Sequence, residues 1–315
     1  MGERWRDVAG PVGRLEQGPV NAITDVPGVL VGHAQAGSGQ RTGVTVIAPP
    51  SLPALAGAGT VNGMGELTGM REIEERGSIT TPVYLCGTHA VGVVHHAAML
   101  AAGASPGNVV LPVVGECDDS DMADSRTVTG DDVQRALDGL GADVREGSVG
   151  AGTGMTCFGF PGGIGTASRS VNDHQVGVLL LCNFGDRRYL DVLEPLGAAA
   201  GRTDSHGSCI AVCGTDAPLA PHQLRRLALR PLLGIARAGS YAAEGSGEIG
   251  LAFTTSPAAT LANQQLDGYF AAAYEAGREA VYNCLIAARP AKRLDGSMQD
   301  RFPVDALRGL AQADA

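Results

Sequence analysis

Val176-Gly-Val-Leu-Leu-Leu-Cys182 carries no charged or amide side chain along its whole length. A strand with one face in water alternates apolar and polar residues. An unbroken apolar run bounded by polar positions fits a strand covered on both faces. The same pattern extends outward to Gly43–Ala48, Thr81–Cys86, Asn108–Gly115, Cys209–Cys213 and Ile249–Thr254, each apolar or β-branched and bounded by glycine or polar residues. Together these runs predict sheets stacked between other layers.

Three stretches read as helices. His89–Ala102 is small and apolar. Pro218–Leu229 follows Thr215-Asp216, with Pro218 suited to a first-turn position. Asn263–Arg289 repeats Leu266, Phe270, Ala273, Gly277, Val281 and Cys284 at three- and four-residue steps, one small-or-apolar stripe that Pro290 terminates. Gly277 is the weakest member of that stripe because it has no side chain to bury. The polar tail beyond Arg289 is expected to wrap the surface. No stretch reads as an interdomain linker and no repeat is visible, which predicts a single α/β domain of helices layered on sheets.

The chain has 315 residues, enough for a large core, and is 44% hydrophobic and 18% charged. Aromatics make up only 4%, while 46 glycines imply close backbone packing. A net charge of −10 argues against nucleic acid, which needs a basic face. No apolar run is long enough to span a membrane, and no apolar segment follows Met1-Gly-Glu-Arg-Trp-Arg6 as in a secretory signal, so a cytoplasmic protein is expected. The cysteines form no CxxC pair. Cys182 and Cys213 sit inside apolar runs, as buried reduced thiols do.

The familiar site motifs are missing. Gly57-Ala-Gly59 and Gly150-Ala-Gly-Thr-Gly154 lack the strand, glycine triplet and distal acid of a dinucleotide site, and there is no phosphate loop. His89, His95 and His96 share one predicted helix, but adjacent residues point about 100° apart and no HExxH occurs, so neither metal nor cofactor is expected. Nor is there a GxSxG elbow. A serine can instead be activated by its own α-amine once it becomes the first residue of a chain, because an α-amine with a pKa of about 8 is a suitable base near neutrality. Such a residue arises when its hydroxyl attacks the preceding carbonyl, and a glycine there hinders the approach least. Gly207-Ser208, between the turn-like Thr203-Asp-Ser-His206 and the strand Cys209–Cys213, has that form, although Gly-Ser pairs are common.

Read together, the segments resemble the P1-family aminopeptidases, which comprise L-aminopeptidase D-amidase/D-esterases and β-aminopeptidases and are related to nylon-oligomer hydrolases. The landmarks are Asn21-Ala-Ile-Thr-Asp-Val-Pro-Gly-Val-Leu-Val-Gly-His33, Asn62-Gly-Met-Gly-Glu-Leu-Thr-Gly69, Gly87-Thr-His-Ala-Val-Gly92 and Pro112-Val-Val-Gly-Glu116. They continue through Gly147-Ser-Val-Gly-Ala-Gly-Thr-Gly-Met155, Gly162-Gly-Ile-Gly-Thr-Ala-Ser168 and Cys182-Asn-Phe-Gly185. The last two are Gly207-Ser-Cys-Ile-Ala-Val-Cys-Gly-Thr-Asp-Ala-Pro-Leu219 and Gly245-Ser-Gly-Glu-Ile-Gly-Leu-Ala-Phe-Thr254.

The resemblance implies an αββα four-layer sandwich, one domain of two self-cleaved fragments, residues 1–207 and 208–315. It implies Ser208 as nucleophile, Ser246 and Glu248 supporting it, and Asn183 donating to the oxyanion. Family members often read Glu-Thr-Tyr-Asp where this chain has Glu116-Cys-Asp-Asp119, so Asp118 replaces a tyrosine that assists the oxyanion. An ionised carboxylate facing an oxyanion would repel it. Asp118 is therefore expected to turn away and, with Glu116, to read a cationic group of a small peptide or amide substrate. The resemblance further suggests a homo-oligomer of processed pairs. Two alternatives stand beside this hydrolase: an acyltransferase of related fold, as in ornithine acetyltransferases, and a processed but weakly catalytic binding protein.

Overall fold

The computed structural model describes residues 2–37, 41–196 and 207–313. In chain order the described strands are β1 (Leu30–Gln35), β2 (Gly43–Ala48), β3 (Ala54–Gly63), β4 (Ser78–Ile79), β5 (Val83–Gly87), β6 (Val113–Cys117), β7 (Thr156–Cys157), β8 (Phe160–Pro161), β9 (Gly163–Val171), β10 (His174–Asn183), β11 (Gly207–Thr215) and β12 (Ser246–Thr254). The α-helices are α1 (Trp5–Ala9), α2 (Met70–Arg76), α3 (Val91–Ala101), α4 (Gly130–Asp138), α5 (Pro221–Ala228), α6 (Arg230–Ala238), α7 (Leu266–Ala287) and α8 (Val304–Ala313).

Two sheets face each other, in strand orders β1-β2-β5-β6 and β4-β3-β12-β11-β10-β9. In the first, β5 and β6 are parallel and the remaining pairs antiparallel. In the second, β11 and β12 are the parallel pair. Side chains alternate across a strand, so each sheet serves two layers of core. Ile47, Leu85 and Val113 meet Leu181, Ile210, Val212 and Leu251 between the sheets. On the outer face of the first sheet, Val44, Val46 and Tyr84 pack with Val94 and Ala98 of α3 and Val133 of α4. Cys209, Ala211 and Cys213 of β11 pack with Leu224 and Leu227 of α5 and Ala276 and Ala280 of α7. The result is the αββα sandwich, and it explains why the central strands carry no polar alternation.

Several boundaries differ from the sequence reading. The strand expected over Asn108–Gly115 begins only at Val113, because it lies at a sheet edge, Pro112 has no N–H, and Val109 and Leu111 are exposed. The proline at the first position of α5 is Pro221. The carbonyl of Pro218 is taken instead by the N–H groups of Thr260 and Leu261, which holds that residue in a loop. Gly277 is no weak point either. A Cβ there would lie 2.6 Å from the Cα of Pro231, so its bareness is what lets α6 pack against α7.

Strands β1, β3 and β9 escaped the sequence reading. Their Gly, Ala and Thr residues carry little hydrophobic signal because helices press directly on their backbones. A Cβ on Gly165 of β9, for example, would fall 1.9 Å from the Ala280 carbonyl of α7. The end of β9 is fixed by a buried ion cluster, with Arg169 donating to Glu279 at 2.7 Å and to Glu275 at 3.2 Å. Arg6 joins Glu279 at 2.8 Å, which ties the N-terminal segment to α7.

Candidate active site

The structure lengthens the two innermost strands just where chemistry was expected. Strand β10 extends to Asn183 and β11 starts at Gly207, so Ser208 lies inside the ladder, paired antiparallel with Asn183. Antiparallel partners share a face. Ser208 follows the parity of Ile210 and Val212, and Asn183 that of Leu179 and Leu181, so both face the inter-sheet layer. The Ser208 hydroxyl is buried and meets hydrogen-bond geometry with no described residue, its polar neighbour across the layer being the Cys117 thiol. Residues 203–206, read from sequence as a turn, lie outside the described residues. Glycine at 207 is a steric requirement, since a Cβ there would sit 2.4 Å from the Asn183 carbonyl oxygen.

Asn183 is held at both ends of its amide. The Thr156 N–H donates to Oδ1 at 2.8 Å, and Nδ2 donates to the Asp118 carbonyl at 2.8 Å. These two partners fix which end is oxygen and which is nitrogen. They leave one Nδ2 hydrogen without a described acceptor, beside Ser208.

On the other side of β11, the parallel register sets Ser246 against Gly207 and Glu248 against Cys209, one residue to each side of Ser208. Ser246 Oγ donates to Glu248 Oε1 at 2.5 Å, as two residues on one face of a strand can. Glu248 Oε2 is buried without a partner among the described residues. Burial raises the Glu248 pKa above its ordinary value, and the Ser246 hydroxyl opposes the shift. The pair therefore borders the main chain of Ser208, with one carboxylate oxygen unused.

Cys117 of β6 faces the Ser208 hydroxyl across the inter-sheet layer. Burial, followed by the charge of Glu116, pushes its thiol well above the ordinary range, so it stays protonated and a poor nucleophile. Glu116 is buried. One of its oxygens accepts from the Glu66 N–H at 2.9 Å and the other from the Thr88 hydroxyl. Its pKa is raised, by burial first, against the pull of these two donors. Each oxygen still has a second lone pair to offer.

Asp118 meets Asn183 through its backbone carbonyl. Its exposed carboxylate instead accepts from the Ser120 N–H at 2.9 Å. A cleft of about 300 Å³ adjoins these groups, lined among others by Asp118, Thr156, Asn183, Gly207 and Arg293. Glu116 does not line it. Thr156 and Arg293 had no signal in the sequence, since one is an isolated threonine and the other one arginine in a polar tail. Among the described residues no three His, Cys, Asp or Glu side chains gather as metal ligands.

The chain matches known proteins over most of its length. The model of Peptidase family S58 matches residues 21–299. The chain is 38% identical to the β-peptidyl aminopeptidase BapA of Sphingosinicella microcystinivorans, with 98% of this chain and 92% of that protein covered. Its fold superposes on a Burkholderia sp. β-aminopeptidase with a TM-score of 0.88, at 36% identity over 99% of both chains. It superposes equally on the L-aminopeptidase D-Ala-esterase/amidase of Ochrobactrum anthropi, described as a variant of the Ntn hydrolase fold, with a TM-score of 0.87 at 35% identity over 99% of both chains.

Proposed function

The chain belongs to Peptidase family S58 and is an aminopeptidase or amidase of the N-terminal-nucleophile type, and on that premise we propose that it cuts itself between Gly207 and Ser208 and uses the new Ser208 terminus as its nucleophile. The observation that carries this reading is the buried Ser208 hydroxyl, without a described hydrogen-bond partner and registered opposite an Asn183 amide with one hydrogen free of described acceptors.

In processing, Ser208 Oγ attacks the Gly207 carbonyl carbon, the Gly207–Ser208 C–N bond breaks, and an ester to the same oxygen forms. Water hydrolyses that ester, leaving a Gly207 carboxylate and a free Ser208 α-amine. The products are fragments 1–207 and 208–315. In turnover the α-amine takes the hydroxyl proton and Oγ adds to the substrate carbonyl. The remaining Asn183 N–H receives the oxyanion, and the proton passes to the leaving amine. Water then clears the acyl ester by the same route. Ser246 and Glu248 orient the α-amine, with Glu248 Oε2 as its acceptor. No metal or cofactor takes part.

Glu116 receives a substrate ammonium with its spare lone pairs, while Asp118 lines the cleft and attracts a cationic group there. Because the Asp118 carboxylate turns to Ser120 N–H, the electrostatic motive for a weakly catalytic binding protein falls away. The β-peptidyl aminopeptidase and L-aminopeptidase D-Ala-esterase/amidase relatives support β-peptides, L-peptides and D-alanyl esters or amides as substrates. Seven free, buried cysteines support a reducing cytoplasmic setting, and the resemblance supports a homo-oligomer of processed pairs. No described helix is long and apolar enough to cross a membrane.

Denaturing electrophoresis tests the reading. Two fragments are expected, with N-terminal sequencing of the smaller giving Ser-Cys-Ile-Ala-Val, and Ser208→Ala is expected to stay whole and inactive. A wild-type chain that remains uncut after long incubation refutes it.

A further inference from the structure

Arg293 takes part in none of these steps, yet its side chain is only 7% exposed. It makes no side-chain hydrogen bond to another described residue. Its ion-pair partner is Asp121 at 3.9 Å, beyond hydrogen-bond reach, and that aspartate side chain is 62% exposed. The tail that carries it is fixed: Arg293 N–H donates to the Ser297 carbonyl at 2.7 Å and Leu294 N–H to the Asp121 carbonyl at 3.0 Å. Gln299 Nε2 donates to Thr156 Oγ at 3.1 Å, and the Thr156 N–H in turn holds Asn183. The tail, mostly exposed as expected of a surface wrap, also borders the cleft, and the arginine it delivers lines the same space as Asn183 and Gly207.

A guanidinium does not shed its charge, and a buried one whose described ion pair is long and whose donors have no described hydrogen-bond acceptor is costly. Its planar donor fork matches a carboxylate, which can accept two parallel N–H bonds. The position within the cleft says which carboxylate. Glu116, the ammonium acceptor of the reading above, does not line this cleft, so the amine-bearing half of a substrate lies toward Glu116 and the departing half lies here. A volume of about 300 Å³ is at the small end of ligand pockets, suited to one departing residue and not to a long chain.

We propose that Arg293 binds the free C-terminal carboxylate of the departing residue, which makes short peptides with a free carboxyl terminus the preferred substrates. The proposal rests on Ser208, whose chain neighbour Gly207 and ladder partner Asn183 line this cleft, being the nucleophile. Asp118 and Asp121 set its selectivity: their charges repel anions in general, and only a carboxylate placed to displace Asp121 from Arg293 overcomes that repulsion.

The test compares kcat/KM of the processed enzyme for β-alanylglycine against β-alanylglycinamide, and for the alanylglycine pair. The wild type is expected to favour the acid about tenfold or more, and Arg293→Gln to bring the ratio near one by raising KM for the acid. Arg293→Lys is expected to fall between, because an ammonium is a point charge without the fork. A wild-type ratio near one, or an unchanged ratio in Arg293→Gln, overturns the proposal, whereas general damage to the fold would lower both substrates together. If neither form is hydrolysed, the Ser208 reading fails separately. Calorimetric titration of the wild type with N-acetylglycine and N-acetylglycinamide then decides for Arg293, with tighter binding of the acid expected and equal binding overturning the assignment.

Discussion

Asn183→Ala separates chemistry from architecture at this site. The substitution removes the amide that faces Ser208 and both bonds that hold it, from Thr156 N–H and to the Asp118 carbonyl. A missing oxyanion donor costs about 3 kcal/mol of transition-state stabilisation, or about 10²-fold or more in kcat. The stability cost is smaller. Thr156 and Asp118 border the cleft, so water can replace the lost side chain, and each bond is worth about 1 kcal/mol. A melting temperature lowered by no more than several degrees follows, since ~1 kcal/mol shifts a domain of this size by about 2–4 °C at most. KM should change little, because the donor acts on charge that develops only in the transition state. The assay is initial-rate hydrolysis of an amino-acid p-nitroanilide, normalised to the amount of processed chain on a denaturing gel, with thermal unfolding in parallel. Slowed processing is expected as well, because self-cleavage passes through the same kind of oxyanion. A processed Asn183→Ala enzyme with kcat within about threefold of wild type would refute the assignment.

Asp118→Asn should raise KM for cationic substrates while kcat falls less. A kcat increase of about tenfold on every substrate, ~1.4 kcal/mol, would show instead that the carboxylate faces the oxyanion. Asp119 offers a pH test away from the chemistry. Burial, opposed by the Thr42 and Ser125 hydroxyls, pushes its carboxyl from 3.8 up to about 6. The folded state therefore holds this proton more tightly than the unfolded state. Its stabilising contribution is complete below about pH 4 and lost as pH rises through about 6, by up to ~3 kcal/mol. Asp119→Asn, neutral throughout, should gain on wild type in denaturant unfolding between about pH 4 and pH 8. A stability difference that does not vary with pH sinks this reasoning.

The sequence by itself determined the layering and singled out Ser208 as the proposed nucleophile. Runs such as Val176–Cys182 have no polar face to offer water, so layers on both sides follow from composition within a few residues. The ordered segments from Asn21 to Thr254 likewise pointed to Ser208, because such a landmark is local in the chain. What depends on distant contacts was not legible. The glycines of β9 are bare because α7 lies on them, and nothing in the strand names its neighbour. Sheet order places β11 between β10 and β12, and only that order sets Asn183 against Ser208 and brings Ser246 and Glu248 to its other side. Arg293 is the extreme case. In sequence it is one charge in a polar tail, and only the path of the tail across Thr156 carries it into the cleft. Local periodicity records which faces are covered, but the register between strands and the path of a tail depend on pairings spread along the chain that no short window contains.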